Sequence, residues 1–475
     1  MKTVLIFLDH GLGVAYFFET ELAKQLTEKK VRLVFLLQDA LLPKMREEYD
    51  GNNQLVFLSM REKQATDYKN SHLAGLQEVV NYLRGSTAST RIPLTYVDTN
   101  RRRKHYEAKG RWKIILRIVT PIISLMRRSK IARDLFRWMQ QVFFTTNIYS
   151  DYFTEYKPDL VISCTAGWRI DRYFLREAIK RKIRTASVTI GWDNPSSNGL
   201  PGAKVEYVNV WSDIHKWELN KGVDWPIEKI NVGGMPLYDG YINHKWLMPR
   251  DEYFRVHGLD KKKKVITFAT TALSISPNLH IVEILADIIE NGKLAEPSQL
   301  LIRLHPNHFK STPRYEQERE AIIAIAKQNK NIHIIEPKVL AGNLPRYSGE
   351  DYPEKTSMFE YSDVLVTIYS TMALEAALHD TPIVSACIDT QTGWKDYYWV
   401  PLSKVPNWPT AARMVKTRAG RTAYSAEELV VCIDAYLKNH DLEKQERLNF
   451  AKQELVFLDG SSTKVTAEFI LSLLR

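Results

Sequence analysis

Two doubly wound, Rossmann-like α/β domains are the fold that this 475-residue sequence predicts, on three observations. Short apolar runs rich in Val, Ile and Leu recur without polar alternation, as strands buried on both faces of a parallel sheet do. Stretches with apolar residues at helical spacing separate those runs, and alternating strands and helices build a parallel sheet covered on both sides. The pattern breaks near residues 240–251 and then starts again, in a chain too long for one ordinary core. Open sheets of this kind bind ligands outside the C-terminal ends of their strands. Two of them facing each other would set their loops across one cleft.

The first half opens with a strand over residues 4–8 and a helix over 16–29, in which Phe17, Leu22 and Leu26 are apolar. Strands follow at 31–37 and 55–58. A basic region then interrupts the alternation, which resumes with strands at 160–163, 186–190, 208–211 and 230–232. The second half enters through four lysines, 261–264, into a strand at 265–269. Further strands are expected at 300–304, 332–335, 363–367 and 383–386.

Residues 362–389, SDVLVTIYSTMALEAALHDTPIVSACID, carry the strongest local signal. Ser370 and Thr371 stand where a strand stops and a helix begins. Leu374, Ala377 and Leu378 then recur at helical spacing, and Thr381-Pro382 stops the helix. A hydroxyl-bearing turn that feeds a helix N-terminus is a place for phosphate, because free N–H groups and the positive dipole end point at it. Glu375 lies four residues after Thr371, whereas a capping box needs its acid at three. One turn into the helix, it can accept hydrogen bonds from a sugar's hydroxyls. The plainer reading of the segment is an ordinary βαβ unit with a capped helix.

Composition narrows the class. Hydrophobic residues make up 44%, with 11 Trp and 23 Tyr, which describes a well-packed globular protein. The opening MKTVLIFLDHGLG has too short an apolar run for a signal peptide, and no stretch is long and apolar enough to span a membrane. Cys164, Cys387 and Cys432 sit in apolar runs and read as reduced thiols of a cytoplasmic protein. No Cys/His spacing suggests zinc, and no D-x-D triplet is present to hold a divalent cation. Metal and cofactor are therefore both expected to be none. Between Arg101 and Arg137 there are 13 Lys or Arg against Glu107 and Asp134, so this segment holds the whole net charge of +11. Trp112, Ile115, Val119, Ile122 and Met126 recur in it at helical steps. Basic residues mixed with Trp and aliphatics fit a helix resting on an anionic membrane surface. A helix packed on its own domain, or a nucleic-acid site, are the competing readings, and Pro121 is expected to interrupt or kink the helix.

Several loops carry candidate chemistry. Asp9-His10-Gly11-Leu12-Gly13 follows the first strand: Gly11 and Gly13 would let backbone approach a ligand, and His10 titrates near neutrality as a general base should. In Gly191-Trp192-Asp193-Asn194-Pro195, Trp192 could stack on a sugar ring while Asp193 acts as the alternative base and Asn194 adds a polar contact. Thr270 and Thr271 end the first strand of the second half. Arg303 and His305, before Pro306, could face a donor diphosphate and neutralise charge on a leaving nucleotide. The cluster at 397–399, two Tyr and a Trp, reads as a packed aromatic corner.

These residues together resemble a family. Val232-Gly233-Gly234-Met235-Pro236-Leu237-Tyr238-Asp239 is similar to a V-x-G-x-P-x-x-D segment, and Arg303-Leu304-His305-Pro306 to an HP turn. Residues 370–376 resemble S-T-x-x-x-E-A, and Asp459-Gly460-Ser461-Ser462 resembles a D-G-x-x-[ST] stretch. In this order they resemble GT-B glycosyltransferases, namely bacterial surface-polysaccharide enzymes and the CDP-glycerol glycerophosphotransferase group, with the non-hydrolysing UDP-GlcNAc 2-epimerases more distant. The phosphotransferase group usually carries an Asp-rich form of the S-T helix, so Glu375 brings this chain closer to sugar transferases.

The resemblance implies an acceptor-side domain over 1–245, with the basic insertion at about 100–145. It implies a donor-binding domain over 246–475, whose last helix packs back on the first domain. It further implies a metal-independent glycosyltransferase, peripheral on the inner face of the cell membrane. That enzyme would move a sugar from a nucleotide-sugar donor to a lipid-linked or polysaccharide acceptor in cell-surface glycan synthesis. Donor contacts would come from Thr270, Thr271, Arg303, His305, Ser370, Thr371 and Glu375. Transfer of a polyol phosphate from a CDP-linked donor, a nucleotide-sugar epimerase, and a non-catalytic basic scaffold remain the alternatives.

Overall fold

The computed structural model describes residues 1–93, 95–272, 277–338, 349–390 and 401–475 and, for residues 95, 96, 99, 100, 102, 103, 194 and 195, the backbone alone. The aromatic cluster at 397–399 lies outside them. The chain divides into two compact units: Met1–Leu237 with Leu455–Phe457 and Ser461–Arg475, and Tyr238–Glu454 with Leu458–Gly460. The seam falls a few residues ahead of the 240–251 break in the sequence pattern.

The first unit is built on seven parallel strands: β1 (Lys2–Phe7), β2 (Val31–Leu37), β3 (Leu55–Ser59), β4 (Leu160–Ser163), β5 (Arg184–Val188), β6 (Tyr207–Val210) and β7 (Ile230–Val232), in the order β3-β2-β1-β4-β5-β6-β7. Its core gathers Leu5, Phe7, Val34 and Val161 from the strands with Phe174 and Leu219 from the covering helices and Tyr149 from a turn. The second unit has six: β8 (Lys264–Ala269), β9 (Ser298–Arg303), β10 (Ile332–Ile335), β11 (Val364–Thr367), β12 (Ile383–Ala386) and β13 (Arg421–Ala423), in the order β10-β9-β8-β11-β12-β13. Ile266, Phe268, Leu300, Val366 and Val384 form the centre of its core with Leu285 and Ile433. Every pairing is parallel, which is why the central strands are buried on both faces and read as unbroken apolar runs.

Three local features depart from expectation. The helix expected over 16–29 is two helices, Gly11–Phe18 and Leu22–Glu28. The Thr20 hydroxyl donates to the Tyr16 carbonyl (2.8 Å) and accepts from the Leu22 N–H (3.2 Å), so a side chain takes over the backbone pairing at the break. Pro121 does not end its helix: Arg111–Arg128 runs through it, and the chain turns at Ser129, whose hydroxyl caps Lys130–Phe143 through the Ala132 N–H. Strand β13 is a three-residue edge with an arginine in it, and no apolar run announces it.

Two of the resembling segments meet in the first unit. A side chain on Gly234 would lie 2.3 Å from Ser462 Oγ, and Gly234 has φ +75°, so this contact needs glycine twice over. Helix Ser462–Ser472 packs against Leu22–Glu28, and Thr466 takes a buried hydrogen bond from Asn209 Nδ2 (3.0 Å).

Candidate functional site

Each sheet has one point where strand order reverses, between β1 and β4 and between β8 and β11. The crevice outside the C-terminal ends of such a pair is where open α/β sheets bind ligands.

In the second unit the described residues at the ends of β8 and β11 are rich in hydroxyls. Ser370 caps helix Thr371–Leu378 by accepting from the Met372 N–H (3.2 Å), and Thr367 Oγ1 stands 3.1 Å from Ser370 Oγ. The preceding Tyr369 has φ +29°, outside the regions that a bulky side chain favours, and its hydroxyl is tied to Thr422 (2.6 Å). Thr371 is exposed at the helix start. Thr270 and Thr271 are buried, and they bind the loops to each other instead of projecting from them. Thr270 Oγ1 donates to the Arg303 carbonyl (3.1 Å) and accepts from the His305 N–H (2.7 Å). The Thr271 N–H donates to Asn278 Oδ1 (2.7 Å), and Asn278 Nδ2 donates to Glu318 (3.1 Å). Glu318 in turn meets His308 Nε2 (2.7 Å) inside the core. Asn278, Glu318 and His308 escaped the sequence reading because their partners come from three separate segments.

Two expected donor ligands are occupied within the protein. Arg303 is 2% exposed and is neutralised by Asp351 (2.6 Å) and Glu354, so it is not an open phosphate ligand. The price of that burial shows on Glu354, whose carboxyl desolvation pushes up to about 6 although Arg303 opposes it. Glu375 is not at a cleft edge. It is buried, with Oε1 2.7 Å from Lys355 Nζ, and its Oε2 is enclosed without a hydrogen-bond partner.

His305 and His10 share one arrangement. His305 Nδ1 accepts from the Asn307 N–H (3.1 Å) and His10 Nδ1 from the Leu12 N–H (3.1 Å), each at the start of a helical turn after a strand. A neutral imidazole that accepts at Nδ1 carries its proton on Nε2. Nδ1 of His10, proposed as a general base, is thus engaged in capping its own helix.

The first unit's edge is charged. Asp9, at the end of β1, is 1% exposed, and burial, with Asp171 nearby, pushes it up to about 7 against the pull of Arg169. Arg169 Nε donates to Asp9 Oδ2 (3.1 Å) and Nη2 to the Asp9 carbonyl (3.3 Å). Asp171 holds the same loop by accepting from the Gly167 (2.8 Å) and Arg169 (3.2 Å) N–H groups. Gly11 opens helix Gly11–Phe18, and Gly13 serves packing, since a Cβ there would lie 2.7 Å from Cys164 Sγ. Trp192 is buried with its carbonyl bonded to His215 Nε2 (2.8 Å), so it offers no face for a sugar. Asp193 next to it is exposed, and its carbonyl starts the turn Asn194–Ser197. Of the two proposed bases, only Asp193 presents its side chain to solvent. The Asn194 side chain lies outside what is described.

The basic region is a helical hairpin, Arg111–Arg128 and Lys130–Phe143, preceded by helix Thr95–Glu107. Val119 and Met126 enter the first core, and Trp112 and Ile115 pack at its margin. The face expected to meet a membrane is therefore mostly the face that holds the hairpin to its own unit. A second apolar face looks outward: Ile114, Ile118, Ile122 and Leu125 on one helix, and Ile131 (82% exposed), Leu135, Trp138 (59%) and Val142 on the other. Arg111, Lys113, Arg117 and Arg128 are exposed beside it. Part of the positive charge is spent internally, with Arg133 and Arg137 on Asp224 and Arg101 and Arg127 on Asp98. Among the described residues no helix is long and apolar enough to cross a membrane.

Two groups among the described residues could hold a metal ion: His244, Glu360 and His379, and Asp380, His440 and Asp441. His379 and Asp380 immediately precede β12, at the opposite edge of the sheet from Ser370 and Thr371.

A family model described as CDP-Glycerol:Poly(glycerophosphate) glycerophosphotransferase matches residues 204–472, more than half of the chain. No curated protein sequence matches. Among solved structures, the UDP-GlcNAc 2-epimerase of Neisseria meningitidis bound to UDP-GlcNAc is similar with TM-score 0.52 at 12% identity, over 99% of this chain and 100% of that one. A putative UDP-N-acetylglucosamine 2-epimerase from Listeria monocytogenes gives 0.54 at 12% over 100% and 96%. A glycosyltransferase from Rickettsia africae ESF-5 gives 0.53 at 12% over 100% and 99%. At such identities the likeness shows the fold, two Rossmann-like domains of GT-B type.

Proposed function

The chain belongs to the CDP-glycerol:poly(glycerophosphate) glycerophosphotransferase family, and from that premise we propose that it moves a polyol-phosphate unit from a nucleoside diphosphate-linked donor to the hydroxyl of a lipid-linked or polymeric surface-glycan acceptor. The observation that carries the reading is the capped helix start at Ser370 and Thr371, set at the switch point of the unit that the family match covers. Backbone N–H groups and the helix dipole there suit a diphosphate without a metal ion. His305 stands on the neighbouring loop, and Asp193 is the candidate base in the first unit.

Glu375 had favoured a sugar donor. Its pairing with Lys355 removes the simplest form of that case, and the family match shifts weight to the polyol phosphate. A nucleotide-sugar donor remains the second reading, supported by the enclosed, unpartnered Glu375 Oε2 behind the same helix. Thermal melts across CDP-glycerol and UDP-, GDP- and dTDP-sugars separate the two. CDP-glycerol should raise the melting temperature, and Ser370→Ala should blunt the rise. A rise with a nucleotide sugar alone would install the second reading, and no rise with any of them would remove both.

The outward face of the hairpin supports a place on the inner surface of a membrane, where a lipid-linked acceptor is concentrated. Apolar side chains reaching the acyl boundary and arginines at headgroup level act together, each cation contributing about 1 kcal/mol near an anionic surface. Sedimentation with anionic vesicles, lost at high salt and absent with neutral vesicles, is the expected result. Equal partition into both kinds, or into neither, would sink it.

A further inference from the structure

We infer that Arg169 is the contact residue of a second anion site, in the first unit, that takes a phosphate group of the acceptor. The anion site rests on geometry alone. Only its assignment to the acceptor rests on the proposed function.

Arg169 sits in the loop after β4, at the switch point beside β1. That loop is fixed from below. Ala166 and Gly167 have φ +52° and +81°, and a Cβ on Gly202 would fall 2.1 Å from the Gly167 carbonyl oxygen, so two backbones touch there. Asp171 clamps the loop from the other side through the Gly167 and Arg169 N–H groups. The guanidinium itself is then oriented by Asp9, which takes its Nε with a carboxylate oxygen and its Nη2 with the main-chain carbonyl. The result is a rigid cation whose side chain is 47% exposed on a partner that is 1% exposed.

This is not how a closed ion pair is built. A fork-to-fork pair would place both carboxylate oxygens on the guanidinium. Here Asp9 Oδ1 is buried without a partner, and Nη1 of Arg169 makes no hydrogen bond among the described residues. Asp9 occupies one edge of the guanidinium and leaves another for a second oxyanion.

The surroundings are positive as well. Arg84, Arg172 and Arg176 are buried behind the loop and donate to carbonyls instead of carboxylates: Arg84 to Leu200 and Trp168, Arg172 to Arg169, and Arg176 to Gly202 and Phe144. Burial, with Arg172 adding repulsion, lowers Arg84 and Arg176 to about 9. Arg169 pairs with Asp9 and Arg84 is drawn to Asp171, while Arg172 and Arg176 donate to neutral oxygens, and the excess charge favours an anion at Arg169, the most exposed of the four.

The test uses the whole protein with its nucleotide site saturated by CDP, titrated calorimetrically with inorganic pyrophosphate and separately with a glycerol phosphate oligomer. Arg169→Gln should weaken both by about tenfold or more, the usual effect of losing a charge-assisted hydrogen bond. Arg169→Lys should recover part of the affinity, since a lysine restores charge without the fork. In turnover assays the acceptor KM should rise while the donor KM stays fixed. Binding of pyrophosphate alone would leave a free-phosphate site and overturn the acceptor assignment. Wild-type titrations by Arg169→Gln, or a change confined to the donor KM, would overturn the site. If no nucleotide-linked donor raises the melting temperature but pyrophosphate still requires Arg169, the donor reading fails and the anion site stands.

Discussion

The edges at β8/β11 and at β1/β4 occupy the same position in two sheets that share the order of their first six strands, yet their chemistry differs. At β8/β11 the described residues offer the Ser370 cap, Thr371 and the His305 turn, while Arg303 with Asp351 and Glu354 and Lys355 with Glu375 are folded inward in pairs. At β1/β4 the charges stand at the edge itself, with Arg169 half exposed on a buried Asp9. Strand order locates where a ligand sits, whereas the pairing of charges decides how it is held. One unit would hold an anion through backbone N–H groups, and the other through a guanidinium.

Breaking the inward pairing tests that contrast most severely. Lys355→Met leaves Glu375 buried without its cation and should cost about 3–5 kcal/mol in denaturant unfolding, whereas Lys355→Met with Glu375→Leu should recover much of it. If the single variant is as stable as wild type, the two edges differ less than their geometry says.

The second effect is one of pH. An unfolded aspartate titrates near 3.8 and Asp9 in the folded unit near 7. Between those values the folded protein keeps a proton that the unfolded chain has released. Asp9 therefore contributes most stability below about pH 4 and loses it as pH rises to 7. Asp171, Arg169, Cys164 and Tyr149 face it and remain in the variant. The stability of Asp9→Asn relative to wild type should thus rise from pH 4 to 7, and a constant difference would place Asp9 among ordinary carboxylates.

At the β8/β11 edge, Ser370→Ala should cost about 1 kcal/mol, the worth of an N-cap, and weaken the nucleotide more than pyrophosphate at the first unit. The smallest effect belongs to the hairpin. Ile131→Ser and Trp138→Ser should change stability by less than about 0.5 kcal/mol, as exposed positions do, and still reduce vesicle binding. A large loss of stability would show that this face is covered.

Most strands were legible because a parallel strand buried on both faces must be largely apolar, as β1, β2, β4, β8, β9 and β11 are. Edge strands β3, β7 and β10 still carry enough apolar residues to be seen, whereas β13 is three residues, Arg421-Thr422-Ala423, with no apolar run to announce it. Sites were less legible because charge pairing is long-range. Arg169 and Asp9 are 160 positions apart, and Lys355 lies 20 before Glu375 on another helix. Local spacing placed Ser370 and Thr371 at a helix start, where the structure has the Ser370 cap, but it could not see that Lys355 pairs with Glu375. In the hairpin, periodicity picked out one apolar face of two, and only the packing of Val119 and Met126 decides which one points inward.

The first unit is discontinuous in sequence, closing only when residues 461–475 return to Leu22–Glu28 and Asn209. During synthesis the roughly 200 residues of the second unit emerge in between, a delay of about 10–40 s at common elongation rates. Throughout that interval the nascent first unit presents the bare seat of its last helix, with the Asn209 amide unmet and Gly234 uncovered. The second unit has nearly all of its chain in one stretch and can close as it emerges. Vectorial synthesis thus reverses the order in which the two halves reach completion, and a holdase would find its target in the half that was made first.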